Sequence, residues 1–287
     1  MPTIAPAGLV AGAARIPLPF GLFSAFPLRS PEADRWESGV AWETITCGPA
    51  GGIGTPDCDD QTPTIGLPKE LDRNSGDGGE ASPFIVYGHW TCSPVGFTPE
   101  RAQDLATTHL VTTEQTAVET ALWTGNLGNV PNLAGANGYP EPTILAGGTG
   151  MSIVDALAML EDFVAGEYGS QGVIHMTRGL ALTAAAAHLV EAVGNGTRLQ
   201  TALGTPVVAG GGYPGTGPTG AAPGAGESWV YVSPPLFGYR SEIITSSARP
   251  GDLFDRGNNE LTAIAERRYL LGFDPCGVGA VLVDTAI

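Results

Sequence analysis

Apolar and polar positions repeat with a helical period over the most regular part of this 287-residue chain. In residues 98–123, apolar side chains recur every three or four positions along one broad stripe. Thr98, Pro99 and Glu100 supply a capping hydroxyl, a proline at the first helical position and an acid in the first turn, and Gly125 follows the last turn. At 1.5 Å per residue, the pattern predicts one amphipathic helix of roughly 37 Å.

Two β-type segments precede this helix. Residues 40–47 and 83–92 are rich in Thr, Ile, Val, Tyr and Trp, and about 35 residues crowded with Gly, Pro, Asp and Asn separate them. This pattern predicts an extended hairpin far longer than an ordinary connection. Residues 1–35 are apolar and proline-rich with no regular period, which indicates an extended arm that is ordered by lying on another surface.

Beyond residue 151, short helices and strands alternate, which predicts a mixed α/β fold of the α+β kind, with helices covering a small sheet. Ser152 and Thr177 are the expected N-caps of two helices, and a Gly-Asn-Gly sequence at 194–196 is expected to end the second. The predicted elements are helices over 152–164 and 177–193, strands over 172–176, 205–209, 229–233 and 239–246, and a glycine-rich loop over 210–226.

The last thirty residues carry the most specific pattern. Leu261, Ala263 and Ala265 recur at alternate positions, and a charged Glu-Arg-Arg run at 266–268 follows. An Asp-Pro turn at 274–275 and a second apolar strand over 278–283 follow. The pattern predicts a pair of strands at the end of the chain.

This C-terminal segment, and the order of the elements before it, resemble the tailed-phage major capsid proteins of the Hong Kong 97-type fold. That family runs from an N-terminal arm through an extended loop, a spine helix and an axial domain, and then returns to a peripheral domain. Residues 203–208, Leu-Gly-Thr-Pro-Val-Val, resemble a turn and strand of the family. The resemblance covers essentially the whole chain. It departs in the glycine-rich insert after Ala209, the large hairpin tip and the absence of a long N-terminal scaffolding helix.

The resemblance implies five segments and a structural role. The segments are an N-terminal arm (1–35), an extended hairpin loop (36–95), the spine helix with peripheral domain (96–150), an axial domain (151–250) and the return strands of the peripheral domain (251–287). The implied role is a head protein that forms pentamers and hexamers of an icosahedral shell around double-stranded DNA. Scaffolding, portal and decoration proteins are the implied partners, and the virion, assembled in the host bacterial cytoplasm, is the implied location.

Composition agrees with a container. The formal charge of −16 argues against a surface that grips nucleic acid, and an inner wall without strong phosphate binding suits packaging and ejection of DNA. No signal peptide is recognisable, and the most apolar helix-like run, 179–193, is too short to span a bilayer. We therefore expect a soluble protein made in a cytoplasm.

Motifs for enzymatic chemistry are missing. The sequence has no nucleophile elbow, Walker loop, His-Glu-x-x-His motif or paired-cysteine zinc spacing, so we expect no enzyme, no cofactor and no metal. Four cysteines are too few for a disulfide scaffold, and free thiols are the default. Two alternatives stay open: a disulfide between Cys47 and Cys58 across the hairpin tip, and a metal site that joins them to His89 and Cys92.

One covalent reaction is implied by the resemblance. In some family members, a lysine on the extended loop attacks an asparagine on the returning strand of a neighbour, and a glutamate takes the proton. Lys69, the one lysine of the chain, lies in the predicted hairpin, while Asn259 and Glu266 lie on the returning strand at the family's spacing. The alternative is a structural role, in which Glu266 pairs with Arg267 or Arg268 of a neighbour.

Two other functions remain as alternatives. An encapsulin-type compartment shell has the same fold but packages enzyme instead of DNA. An acidic secreted domain that binds or hydrolyses a substrate belongs to another class, and it is disfavoured because a signal peptide and a catalytic cluster are missing.

Overall fold

The computed structural model describes residues 18–30, 35–44, 78–92, 98–136, 141–245, 254–255, 257 and 259–285. In chain order, the helices and strands are α1 (Leu22–Ala25), β1 (Val40–Trp42), β2 (Gly79–Ala81), β3 (Phe84–Cys92), α2 (Pro99–Thr124), β4 (Thr143–Ile144), α3 (Ile153–Phe163), β5 (Val173–Thr177), α4 (Arg178–Ala186), β6 (Val190–Val193), β7 (Arg198–Thr201), β8 (Pro206–Gly210), β9 (Glu227–Ser233), β10 (Phe237–Arg240), β11 (Ile244–Thr245), β12 (Phe254–Asp255), β13 (Glu260–Gly272) and β14 (Gly279–Asp284).

Helix α2 is the long helix that the sequence predicts. The Thr98 side chain accepts a hydrogen bond from Arg101 N, and Pro99 occupies the first turn. Gly125 ends the helix in the left-handed conformation, where its N–H caps Ala121 O at 2.8 Å. The predicted boundaries are therefore confirmed to within one residue.

A five-stranded antiparallel sheet packs on α2. Its centre is β13, which pairs along its length with β3 and also with β10, β11 and β12. The strand and helix backbones approach so closely at Gly88 that a Cβ there would lie 2.5 Å from Leu110 N and 2.7 Å from Ala106 O. Only glycine fits this crossing, so the sheet and the helix form one packed unit.

The base of the predicted hairpin differs from the expected one. Strand β1 pairs with β2, a three-residue strand just before β3, and β3 itself pairs with β13. The two predicted hairpin strands are therefore not partners, because β3 pairs instead with β13, near the end of the chain, over nine residues. Trp42 Nε1 donates to Asp274 Oδ1 at 2.8 Å and holds the hairpin base against the C-terminal turn.

A second, seven-stranded sheet has the order β4-β14-β9-β5-β8-β7-β6 and carries α3 and α4. Ser152 and Thr177 cap these helices as predicted. The second helix is shorter than predicted: it ends at Ala186, and Val190–Val193 is strand β6, paired with β7. The Gly-Asn-Gly sequence at 194–196, with φ of 59°, 62° and 75°, is the β6–β7 turn and not a helix end.

The C-terminal strand β14 also lies elsewhere than expected. It pairs with β9 and β4 in the seven-stranded sheet and not with β13, so residues 251–287 divide between the two sheets. The reason is burial on both faces: Val281 and Val283 join the core under α3 and α4, while Ala280 and Leu282 join the core around α2. Such a strand fits only inside a covered sheet. The domain boundaries themselves stay a prediction.

The glycine-rich loop is confirmed as a loop, and it packs on α2 instead of extending into solvent. Gly212 N donates to Glu119 Oε2 at 2.8 Å, and Trp123 Nε1 donates to Thr216 O at 3.0 Å. The loop therefore joins the seven-stranded sheet to the long helix. Within the described ranges, no helix is both long and apolar enough to cross a membrane.

Candidate crosslinking site and the polar contacts of the long helix

The structure describes two of the three residues predicted for the crosslink. Asn259 and Glu266 lie at the start and in the middle of the β13 segment, whereas Lys69 lies outside the described residues. The structure therefore gives the environment of the predicted amide and of the predicted base, and the amine remains a prediction.

Glu266 lies on the face of the five-stranded sheet that points away from α2. Its cross-strand neighbours are Tyr87 on β3 and Ile244 on β11, and Ile264 follows two positions along the same face. These three side chains are 62%, 44% and 39% exposed. The half-buried Glu266 carboxylate thus lies among exposed apolar side chains. When a second surface covers these side chains, the site becomes apolar, and an amine that enters it is favoured in its neutral form.

Asn259 is exposed and has a positive φ of 53°, directly before β13 begins. Seven residues of nearly extended chain separate it from Glu266, which corresponds to roughly 23 Å. Proton transfer needs contact distance, so the two side chains of one chain cannot act on the same bond. A crosslink that uses both residues would draw them from different copies of the chain.

The alternative partners of Glu266 are occupied within the chain. Arg267 points to the opposite face, where its Nη1 lies 3.0 Å from both carboxylate oxygens of Glu114 on α2. Arg268 pairs with Glu37. The predicted structural role, a bond from Glu266 to either arginine of a neighbour, would add to these contacts through N–H groups other than Nη1.

Glu114 is the first of two buried carboxylates on α2. It accepts from Arg267 and also from the Tyr269 hydroxyl, at 2.6 Å, and so connects the helix to β13. Burial raises the pKa of Tyr269, which keeps its hydroxyl protonated as a donor. Pairing and hydrogen bonding offset the cost of burying this charge.

Glu119, the second, is fully buried and was not singled out by the sequence. Leu22 N and Gln115 Nε2 donate to its Oε1 at 2.9 and 3.0 Å, and Gly212 N donates to Oε2. Burial raises the pKa of Glu119, and the N–H donors oppose that shift only in part. The sequence did contain a signal for this site, because Glu119 lies on the apolar stripe of the predicted helix, four residues after Gln115. A carboxylate that is buried there needs hydrogen-bond donors from elsewhere in the chain.

The cysteines depart in part from the expected free thiols. Cys276 takes part in a disulfide bond, whereas Cys92 is a free, half-buried thiol. Cys47 and Cys58 lie outside the described residues, so their predicted bridge stays a prediction.

One histidine lies in the core of the protein. His175 is fully buried, with Nδ1 2.9 Å from the Tyr213 hydroxyl and Nε2 3.0 Å from Ser233 Oγ. Burial lowers the pKa of His175 to about 3, so the ring is neutral. Among the residues that the structure describes, no three His, Cys, Asp or Glu side chains are grouped to hold a metal ion.

Comparison with known proteins identifies the fold through structure alone. No family model matches the sequence, and no curated protein matches it. The capsid of a native GTA particle superposes with a TM-score of 0.54 at 12% identity, over 98% of this chain and 95% of that chain. A structure from Mycobacterium phage Ogopogo gives 0.52 at 15% identity, over 97% of both chains.

A structure from Mycobacterium phage Bobi gives a TM-score of 0.51 at 11% identity, over 99% of this chain and 96% of that chain. Nearly full coverage in both directions means that the long helix and both sheets take part in the match. The chain therefore has the Hong Kong 97-type capsid fold that its sequence predicts.

Proposed function

We propose that this protein is the major capsid protein of a tailed phage or a phage-like particle. The observation that carries the proposal is the structural match to phage and GTA structures over nearly the full length of this chain and of theirs. Copies assemble into pentamers and hexamers, and these close into an icosahedral shell around double-stranded DNA. The protein acts as a structural subunit and not as an enzyme.

The surface of the chain supports self-association. The outer face of the five-stranded sheet carries four exposed apolar side chains, Ile85, Tyr87, Ile244 and Ile264, with exposed fractions between 39% and 62%, around Glu266 and Arg268. Exposed apolar side chains grouped in this way are typical of interaction sites. Interfaces between unlike surfaces of identical subunits close into rings, which is the geometry that a shell requires.

The outer face also supports the isopeptide crosslink. The neutral amine of Lys69 from one copy attacks the carboxamide carbon of Asn259 in a second copy. Glu266, from a copy other than the one that supplies Asn259, takes the proton of the attacking nitrogen and returns it to the departing amide nitrogen, which leaves as ammonia. One amide replaces another, so the reaction needs no cofactor. The apolar neighbours of Glu266 favour the neutral amine.

Scaffolding, portal and decoration proteins complete the proposed assembly, which forms in the host bacterial cytoplasm and leaves as the virion. Because the net charge is −16, DNA is held by enclosure and not by sequence-specific contacts.

Electron microscopy of the purified full-length protein tests the shell. We expect closed, regular particles in negative stain, and double-stranded DNA that survives nuclease treatment when particles come from a packaging host. Protein that stays monomeric both alone and with its co-expressed neighbouring phage genes would contradict the proposal. Particles that enclose a folded enzyme and no DNA would favour the encapsulin-type alternative.

A further inference from the structure

Residues 18–25, which we name the latch, lie between the long helix and the seven-stranded sheet. On the helix side, Leu22 N donates to Glu119 Oε1 and Gln115 Nε2 donates to Leu18 O, at 2.9 and 3.3 Å. The Leu22 side chain is 1% exposed and belongs to the core around α2. One short segment thus contributes both a buried side chain and a polar contact to the helix.

The same segment is bonded to the seven-stranded sheet. Ala209 N, on β8, donates to Phe20 O at 2.8 Å, and Phe20 N donates to Thr197 O, in the β6–β7 turn, at 3.3 Å. The latch therefore crosses from one structural unit to the other within about four residues.

Two arginines reinforce the sheet side. Arg178 Nη1 donates to Pro19 O at 2.8 Å, and Arg198 Nε donates to Ser24 O at 3.1 Å. These are the only arginine or lysine residues in the sequence between Arg101 and Arg240. The guanidinium groups of Arg178 and Arg198 therefore both bind backbone carbonyls of the latch.

The latch combines a strained backbone with two polar contacts that are exposed to solvent. Phe20 has a φ of 66°, which costs a non-glycine residue of order 1 kcal/mol or more and persists only where surrounding contacts enforce it. Both arginine contacts are exposed to solvent, where a hydrogen bond contributes little. Leu22 is the one side chain of the latch that is buried. Backbone strain and solvent-exposed hydrogen bonds are features of segments that can open locally without global unfolding.

We propose that the latch is a releasable strap that couples the seven-stranded sheet to the long helix. When it is closed, the Glu119 carboxylate binds the latch and the glycine-rich loop together, through Leu22 N and Gly212 N. When it opens, Glu119 loses one of its buried donors and the contact between loop and helix weakens with it.

Hydrogen–deuterium exchange of the full-length protein tests this coupling. The variant is Arg178→Gln with Arg198→Gln, which removes both arginine contacts, and Arg101→Gln, exposed on the first turn of α2, is the matched control. We expect the amides of Leu22 and Gly212 to exchange about tenfold faster in the double variant, and those of β5 to keep their wild-type rate.

Leu22→Ala is the second variant, because it removes the buried side chain of the latch without substituting any residue of the sheet or of α2. It should accelerate exchange at Gly212 in the same way. Unchanged exchange at Gly212 in both variants would overturn the proposal, since the latch would then not be coupled to the loop. Equal acceleration in β5 would also overturn it, because the segment would then open only by unfolding the sheet. Neither outcome depends on whether the protein forms a shell.

Discussion

Glu119 accepts a hydrogen bond from Leu22 N at 2.9 Å, although 97 positions separate the two residues in sequence. Because burial raises the pKa of Glu119 above its usual value of 4.5, the folded chain binds this proton more tightly than the unfolded chain. The stabilisation from protonation is fully present below pH 4.5 and is lost as the pH rises through the folded-state pKa.

Glu119→Gln tests this linkage. The free energy of unfolding of the wild type, relative to the variant, should be larger near pH 4.5 than near pH 7.5. Urea titrations at both pH values measure the difference, and Glu260→Gln, at an exposed position, is the control. A relative stability that increases toward neutral pH would show that the N–H donors, and not burial, dominate at Glu119.

His175 should have the opposite dependence on pH. Its pKa falls from 6.5 in the unfolded chain to about 3 in the folded one, so its contribution is present above pH 6.5 and is lost as the pH falls toward 3. Relative to His175→Gln, the wild type should lose up to about 1.4 kcal/mol per pH unit across this interval. Thermal or urea unfolding at pH 7, 5.5 and 4.5 measures the slope, and equal slopes in both proteins would contradict a buried neutral ring.

Two neighbouring side chains on α2 differ sharply in how far they are buried. Leu110 is fully buried, whereas Val111 is 41% exposed. Leu110→Asp would bury an unpaired charge, so it should cost several kcal/mol and abolish particles, while Val111→Asp should leave the fold intact. Particle yield by sedimentation and helix content by circular dichroism give the comparison, and wild-type particles from Leu110→Asp would refute the assignment of the helix face.

The crossing of β3 over α2 allows a test with a single methyl group. Gly88→Ala places a Cβ 2.5 Å from Leu110 N, a backbone atom that cannot move aside, whereas a Cβ on Gly179 meets nothing within 4 Å. We expect Gly88→Ala to lower the free energy of unfolding by about 3 kcal/mol or more, and Gly179→Ala to change it by less than about 1 kcal/mol. Similar stabilities for the two variants would be inconsistent with the close backbone approach.

The crosslink is tested on mature particles boiled in detergent under reducing conditions. Wild-type protein should run as oligomeric ladders or fail to enter the gel. Lys69→Arg keeps the charge but removes the primary amine, and Asn259→Asp replaces the amide by a carboxylate, so both should return a single band near 29.4 kDa. Glu266→Gln should slow the reaction while the shell assembles. A clean monomer band from the wild type would leave Glu266 with a structural role alone.

The sequence by itself determined those elements whose signals are local. The hydroxyl of Thr98, the proline after it and the glycine at 125 are all within a turn of the helix end that they define, so α2 follows from short-range chemistry. The strands β3, β5, β8 and β13 were likewise predicted, because their composition already favours extended chain. The order of these elements was sufficient to identify the fold.

The tertiary structure decided which strands pair and where the buried polar groups find partners. Val190–Val193 reads as a continuation of α4 but forms a strand, because β7 is available beside it. Strand β14 leaves β13 and enters the other sheet, since only there are both of its faces covered. Glu119 is tolerable in the core only because Leu22 and Gly212 bring backbone N–H groups to it from distant positions. Caps and periodicity act over a few residues, whereas pairing and burial depend on which surfaces meet once the chain has folded.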